Sequence, residues 1–267
     1  MYFKSGKTKI FYKVYNNEST NVPFLFLHGF TGNNKSWQHI IKSTKLKSIA
    51  IDIPGHSRSL FNDINDDYNL DDFITNLFMF LNYLNINKVN ICGYSMGGRI
   101  ATLFTSKFPD KINSLIIESS CLAIKNWEVR ENKLEEDTKL ADLIKQKPKS
   151  FLKNWEKLEL FKSQKKRNKD EWLNQKEIRE SHDFKQLAKS LLVFSKGNFP
   201  YLEEEFKHID NKIIIINGTD DDKYIRIGKE MIYMNKNVNR FIVEEADHNV
   251  HLENPELFEE ILIENCI

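Results

Sequence analysis

The chain is short of cysteine: Cys92, Cys121 and Cys266 are the only three in 267 residues. Their number is odd and their spacing uneven, so they match no disulfide framework and no metal-ligand pattern, and no metal is expected. Charge of one sign is missing too. Thirty-nine Lys and Arg stand against 38 Asp and Glu, a formal net charge of +1, so no global field advertises nucleic acid or a membrane surface. That balance leaves room for a local basic pocket. No apolar run approaches the roughly 20 residues that a membrane span needs. The N-terminal stretch MYFKSGKTKIFYKVY alternates polar and apolar residues like a strand and lacks the apolar stretch of a secretory signal. No internal repeat is present. The expectation is a cytoplasmic chain, monomeric by default, with no nucleic-acid partner and no membrane insertion.

What is present suits a folded α/β protein. Hydrophobic residues make up 40% of the chain and aromatics 12%, enough for a full core and too much for disorder. Short runs rich in β-branched and aromatic residues recur: PFLFLHGF (23–30), SIAIDIP (48–54), KVNICGYS (88–95), INSLIIESS (112–120), KIIIING (212–218) and RFIVEEA (240–246). Continuous apolar runs of this length predict strands buried on both faces, as in a parallel sheet. Between them, Phe73, Leu77, Phe80, Leu81 and Leu84 recur at helical spacing over 70–86 and predict one apolar stripe. Residues 97–107 and 255–265 read as helices as well, the latter opened by Asn254 as a cap and Pro255 in its first turn. Strand–helix alternation of this kind predicts a doubly wound, mostly parallel α/β sheet.

From about 121 to 205 the rhythm breaks. This stretch has no clear strand and scatters Trp127, Trp155, Trp172, Leu158 and Phe161 among Lys, Glu and Asn. It reads as a helical cap, 121–205, inserted into a core formed by 1–120 and 206–267, above the C-terminal edge of the sheet. Within it, KSQKKRNKDE (162–171) reads as a solvated turn between cap helices.

Gly93-Tyr94-Ser95-Met96-Gly97 fits G-x-S-x-G, with an apolar run before it and a helical pattern after it. In that motif a serine sits at a tight strand-to-helix turn where neighbouring side chains would clash, hence the glycines. LHGF (27–30) follows an earlier strand and places the backbone N–H of Phe30 where, with that of Met96, it can form an oxyanion hole. GTDDDKY (218–224) follows the next-to-last long strand and offers an acid, with Asp220, Asp221 and Asp222 all in competition. ADHNVHLENP (246–255) follows the last strand and offers His248, directly after the strand, with His251 as a rival three residues on. His28 reads as an organiser of the oxyanion loop, and His56 lies beside the entrance in DIPGH. The order serine, acid, histidine is that of the α/β-hydrolase fold. In such a set the histidine accepts the serine proton, and the acid fixes the imidazole tautomer and supports its positive charge.

Arg99 lies one helical turn after Ser95 on the same side. A guanidinium fork beside the serine suits a substrate carboxylate rather than an acyl chain. The competing reading is a buried salt bridge to a core acid. Arg130, Lys133 and Arg179 are cap cations that could add anion contacts or simply face solvent.

With those motifs in view, the chain resembles the 2-succinyl-6-hydroxy-2,4-cyclohexadiene-1-carboxylate synthases of menaquinone biosynthesis. LHGFTG, DIPGH, GYSMGGR, NWEKLELFKSQ and ADHNVHLENP carry the resemblance, which runs from about 23 to 257. The arginine in GYSMGGR, the cap segment around Trp155 and HNVHLENP are its most specific parts. The resemblance implies a lyase that removes pyruvate from 2-succinyl-5-enolpyruvyl-6-hydroxy-3-cyclohexene-1-carboxylate, a small anionic substrate, without a cofactor. The same step serves phylloquinone synthesis. By the same token it implies Tyr94, Ser95, Arg99, Trp155 and His248 as site residues. It singles out Asp221, because the family's G-E-x-D-x-K-F aligns on GTDDDKY, and it adds Arg179 of EIRES as a substrate contact. The family's R-x-x-R-x-x-x-D-x-x-L-A aligns on 129–141, where its second arginine is Lys133, which keeps the charge and loses the fork, with Arg130 nearby as compensation. Other departures are Ser57 in DIPGHSRS for glycine, Asp247 for the glycine before the histidine, and SKGNFPYLE (195–203), where Glu203 stands for a tryptophan. The rival functions are a carboxylesterase or C–C bond hydrolase working through an acyl-enzyme, which would use the same triad, and a non-catalytic binder of the same fold.

Overall fold

The computed structural model describes residues 1–267. Nine strands form one sheet: β1 (Tyr2–Ser5), β2 (Thr8–Tyr15), β3 (Phe24–Leu27), β4 (Ser48–Ile51), β5 (Leu60–Phe61), β6 (Val89–Tyr94), β7 (Ile112–Glu118), β8 (Lys212–Gly218) and β9 (Val238–Val243). Their spatial order is β1-β2-β4-β3-β6-β7-β8-β9, with the short β5 paired to β2. From β4 to β9 every pairing is parallel; β1, β2 and β5 are antiparallel. The N-terminal alternation is thus two strands rather than one, split by a turn in which Gly6 takes φ +42°. The two-residue β5 is too short to leave a periodic trace in the sequence.

The apolar runs are continuous because successive residues of a buried strand feed opposite faces. Leu25, Leu27, Ile91, Leu115, Ile117, Ile213 and Ile215 pack on one side of the sheet. Phe24, Phe26, Cys92, Ile116, Ile214 and Ile216 pack on the other. Helices α2 (Leu70–Tyr83) and α3 (Met96–Lys107) cover the first face with Phe73, Leu77, Phe80, Leu81, Ile100 and Phe104. Helices α1 (Gln38–Thr44) and α12 (Pro255–Cys266) cover the second with Ile40, Ile41, Phe258 and Leu262. The α2 stripe stops short of the predicted end: Leu84 is the C-cap, and Asn85 follows at φ 54°, a left-handed residue that ends the helix. At the far end, the Asn254 side chain accepts from the Leu257 N–H and opens α12 at Pro255.

Between β7 and β8 the chain runs through α4 (Trp127–Gln146), α5 (Pro148–Trp155), α6 (Gln164–Arg167), α7 (Lys169–Glu180), α8 (Phe184–Val193) and α9 (Glu203–Lys207). Ala141, Ile144, Phe151, Leu187, Ala188 and Leu191 give these helices a small core of their own. The lysine-rich segment 162–171 is more than the solvated turn its composition suggests. Lys162, Lys165 and Lys166 are exposed, but Arg167 forms ion pairs with Glu253 (2.6 Å) and Asp220. Ser163 donates to Asp247 (3.3 Å), and Asn168 donates to the Leu252 carbonyl (3.1 Å). The lysines face solvent, while Ser163, Arg167 and Asn168 between them fasten the segment.

After β8 come α10 (Asp222–Met234), β9 and the one-turn α11 (Val250–Glu253). Backbones approach very closely at the start of α3. A Cβ on Gly97 would stand 2.2 Å from the Leu27 carbonyl oxygen, and one on Gly93 would stand 2.3 Å from the Gly97 oxygen. Both glycines are required by close approach, since the neighbours are backbone and cannot rotate away. Gly97→Ala is expected to cost at least ~2 kcal/mol of stability through overpacking against backbone. Urea unfolding checks this, and a midpoint equal to that of the wild type would contradict the packing.

Candidate active site

β6 ends at Tyr94 and α3 begins at Met96, so one residue makes the turn between them. Ser95 takes φ 51°, ψ −104°, outside the regions open to unstrained L-residues. Its N–H donates to the Glu118 carbonyl (2.9 Å) and its own carbonyl accepts from Ser120 Oγ (2.6 Å), so β7 and the residues after it hold the turn. The Ser95 side chain is thereby lifted off the sheet. Ser95 Oγ lies 3.2 Å from His248 Nε2, and His248 Nδ1 lies 2.8 Å from Asp221 Oδ2. All of this sits at the C-terminal ends of parallel strands, where open α/β sheets place their ligands.

The structure separates the rival acids and histidines by their partners. Asp221 is the N-cap of α10 and also meets His248, whereas Asp220 pairs with Arg167 and Asp222 is already in the helix. His251 points away from Ser95. It is buried, its Nδ1 lies 2.6 Å from Glu118 Oε2, and Trp37 stacks on its ring at 4.0 Å. His28 orders the loop after β3: its Nε2 accepts from the Ile53 N–H (2.9 Å) and its Nδ1 donates to the Gly29 carbonyl (2.8 Å). His56 accepts from the Thr31 N–H (3.2 Å), and the cap residue His182 accepts from the Ser57 N–H (3.0 Å) and donates to the Thr31 carbonyl (2.9 Å). The three rings lie edge to face, 4.8 and 5.4 Å apart. Each holds one nitrogen as an acceptor, which requires the neutral form. That network presents the loop bearing Phe30. The Phe30 and Met96 amides donate to no other protein group, so both are free for a developing oxyanion.

A cavity of about 700 Å³ opens above Ser95, within the range of small-molecule sites. Tyr94, Ser95, Met96, Phe30, Asp221 and His248 form its floor, and Trp155, Phe161 and Leu191 of the cap help form its roof. Trp155 packs edge-on against Phe30, ring centres 5.4 Å apart. Arg99 lines this cavity and is 6% exposed. It forms no ion pair, its Nε has no partner, and its nearest aromatic contact is Phe199, 5.3 Å from the ring centre. The salt-bridge reading of Arg99 therefore fails, leaving a buried cation beside the serine with no counter-ion from the protein.

The other cations differ. Lys133 lines the cavity but is held 2.7 Å from Asp137. Arg179 is buried under Phe161 (4.8 Å), and its Nη1 is unpartnered. It lines a side chamber of about 20 Å³ that shares Phe30, Tyr94 and Phe161 with the main cavity, and is not itself on the main cavity's lining. Arg130 is not brought to the site. Its Nε and Nη2 both donate to the Gly197 carbonyl (3.2 and 3.0 Å), so it braces a cap loop instead of compensating for Lys133. Two lining cations escaped the sequence reading, Lys196 and Lys223. Lys196 sits in a polar loop and Lys223 at the exposed start of α10, and a lysine in such a setting gives no signal that it borders a cavity.

A family profile described as alpha/beta hydrolase fold matches residues 22–255. A protein of Bacillus subtilis (strain 168) with the provisional name 2-succinyl-6-hydroxy-2,4-cyclohexadiene-1-carboxylate synthase is 32% identical over 242 residues, 89% of this chain and 88% of that one. Protein PHYLLO, chloroplastic, of Arabidopsis thaliana is 32% identical over 249 residues, 86% of this chain and 14% of that much longer one. The solved structure of MenH from S. aureus superposes with a TM-score of 0.89 at 26% identity, covering 95% of this chain and 96% of that one.

Two expectations follow from the site's electrostatics. Burial lowers the pKa of His28 and of His182 to about 4, and that of His56 well below its usual 6.5. Above pH 6.5 neither the folded nor the unfolded chain protonates these rings. Below it the unfolded chain takes up protons that the folded chain refuses, so stability falls as the pH drops from about 6.5 towards about 4. The loss should be on the order of 2 kcal/mol for each of His28 and His182 by pH 5. Urea midpoints at pH 7.5 and 5, with His182→Gln showing a smaller drop than the wild type, would bear this out; equal drops would not. Arg99→Met should leave the melting temperature unchanged or higher, because it removes a buried cation that has no partner. A fall of several degrees would mean that Arg99 holds the fold together.

Proposed function

This chain belongs to the α/β-hydrolase-fold family and, within it, to the 2-succinyl-6-hydroxy-2,4-cyclohexadiene-1-carboxylate synthases; we propose that Ser95, His248 and Asp221 carry out its elimination reaction as a base. The observation that carries this reading is the unpaired Arg99 guanidinium in the cavity that holds Ser95. An uncompensated buried cation is costly unless a ligand supplies the anion, and the substrate of this reaction carries carboxylates.

The steps follow from the hydrogen bonds. His248 Nε2 draws the proton from Ser95 Oγ, and Asp221 holds the Nδ1–H and supports the imidazolium that forms. The Ser95 oxygen removes the ring proton next to the succinyl ketone. Negative charge builds on the ketone oxygen, where the Phe30 and Met96 amides can accept it. The electron pair left at C2 forms a C2–C3 double bond, the C3–C4 double bond moves to C4–C5, and the C5–oxygen bond breaks. Enolpyruvate leaves and ketonises to pyruvate, and the ring is left a 2,4-diene. Arg99 orients the ring by its carboxylate. Trp155 and Phe161 roof the ring and keep water from the departing group. No step calls on a metal or an organic cofactor.

Tyr94, Arg99, Lys133 and Trp155 are the substrate contacts in this proposal, with Arg179 acting through Tyr94 and Phe161 from the side chamber. No helix is long and apolar enough to cross a membrane. A cytoplasmic, monomeric enzyme is the setting proposed, in keeping with three free thiols.

Supplied with the enolpyruvyl substrate, the wild type should release pyruvate. Ser95→Ala and His248→Ala should each lower kcat by at least ~10³-fold, and Asp221→Asn by about 10⁴-fold through the wrong tautomer. Asp220→Asn, whose side chain meets Arg167 and Thr219 but not His248, should change it far less. A coupled pyruvate assay reads all four. Near-normal turnover in Ser95→Ala, or an ester substrate that leaves a stable acyl group on Ser95 while no pyruvate appears, would overturn the reading.

A further inference from the structure

The loop after α8 departs from the family pattern at 195–203, and the structure gives this departure a physical shape. Ser195 Oγ donates to Asp137 Oδ2 (2.7 Å), and the Gly197 carbonyl accepts both nitrogens of Arg130. A Cβ on Gly197 would stand 2.6 Å from Leu134. The residues on either side of Lys196 are thus clamped to α4, and their hydrogen bonds are used up. Lys196 between them has no hydrogen bond and no ion pair.

Its position is equally specific. A second cavity, about 690 Å³, lies between α4 and α10, and only Lys133, Lys196 and Lys223 line both it and the chamber above Ser95. Of these, Lys133 is neutralised by Asp137. Asp137, which lines the chamber above Ser95, is already taken by Lys133 and Ser195. Burial first, and then the cations Arg99, Lys223 and Lys133, lower the Lys196 pKa to about 8, against a rise from Cys121. At about 8 it stays mostly protonated at neutral pH, and no protein carboxylate lies within ion-pair distance of it.

We propose that Lys196, with Lys223 across the junction, is a carboxylate subsite that receives the flexible, acid-tipped side chain of the substrate while Arg99 holds the carboxylate on the ring. This rests on the elimination reading for the identity of the substrate and extends it by separating two anion contacts. Lys196 stands in for the fork that Lys133 lacks, at a different place in the chamber. The arm then lies across the junction and points the rest of the molecule at Ser95.

The test uses the full chain and two probes in ligand-observed NMR titrations: 2-succinylbenzoate, an aromatic analogue of the ring product, and benzoate, which has the ring acid without the arm. Lys196→Met should weaken 2-succinylbenzoate about tenfold and benzoate less than about twofold, with Lys196→Arg restoring the former to within about threefold. In the pyruvate assay Lys196→Met should raise KM about tenfold and lower kcat far less. A Lys196→Met chain that binds both probes like the wild type, or loses both equally, would overturn the proposal. The two readings fail separately. A wild type that releases no pyruvate, combined with selective loss of 2-succinylbenzoate, removes the elimination and leaves the subsite. Normal wild-type turnover with an unmoved KM in Lys196→Met removes the subsite alone.

Discussion

The structure depends on a single strained turn. Ser95 occupies a backbone conformation costing on the order of 1–3 kcal/mol, and its surroundings leave it no alternative. Gly93 and Gly97 let two backbones approach where any side chain would collide. Glu118 and Ser120, at the end of β7, hold the peptide groups on either side of the serine. The Glu118 side chain in turn bonds both the backbone N–H and Nδ1 of His251, which fixes the start of the helix just after His248. One acid on the central sheet thus positions the serine's turn through its carbonyl and the histidine's loop through its carboxylate.

The cap is joined to that frame at the places where movement would matter. Arg167 ties α6 to Asp220, the neighbour of Asp221, and to Glu253 behind His248. His182 ties the end of α7 to the loop that presents the Phe30 amide. A cap pinned at the acid loop, the histidine loop and the oxyanion loop keeps proton-transfer geometry and roof in register. Among the buried polar atoms that lack a protein partner, Arg99 Nε and Trp155 Nε1 belong to residues lining the chamber above Ser95, and Arg179 Nη1 belongs to the side chamber beside it. Buried polar groups in a folded protein are normally paired. The two on the lining of one cavity suit a site whose missing partner belongs to an anionic ligand.

Much of this was legible in the sequence because it rests on local rules. Continuous apolar runs mark strands buried on both faces, and G-x-S-x-G between a strand and a helix marks the turn at Ser95 whatever surrounds it. The resemblance selected Asp221 from three adjacent aspartates, a choice that spacing left open; in the fold Asp220 is drawn to Arg167 and Asp222 lies in the helix, while Asp221 meets His248. Cap contacts were legible only as charge. Arg130 and Lys196 are both cations in polar surroundings, and nothing in composition tells that the first grips a carbonyl while the second faces the cavity. Which lysine turns inward is decided by how the loop 195–197 is clamped to α4, a long-range contact with no trace in local pattern. The same holds for 162–171, whose lysines hide the arginine that fastens the cap.

The central claim is that the serine oxygen acts on hydrogen rather than on carbon. The primary deuterium isotope effect on kcat/KM for pyruvate release, with the substrate labelled at the ring carbon beside the succinyl ketone, tests it most directly. A clear normal effect in the wild type is the result this account predicts. Equal rates for the labelled and unlabelled substrates would contradict it, because ring-proton removal would then lie outside the step that Ser95 and His248 promote.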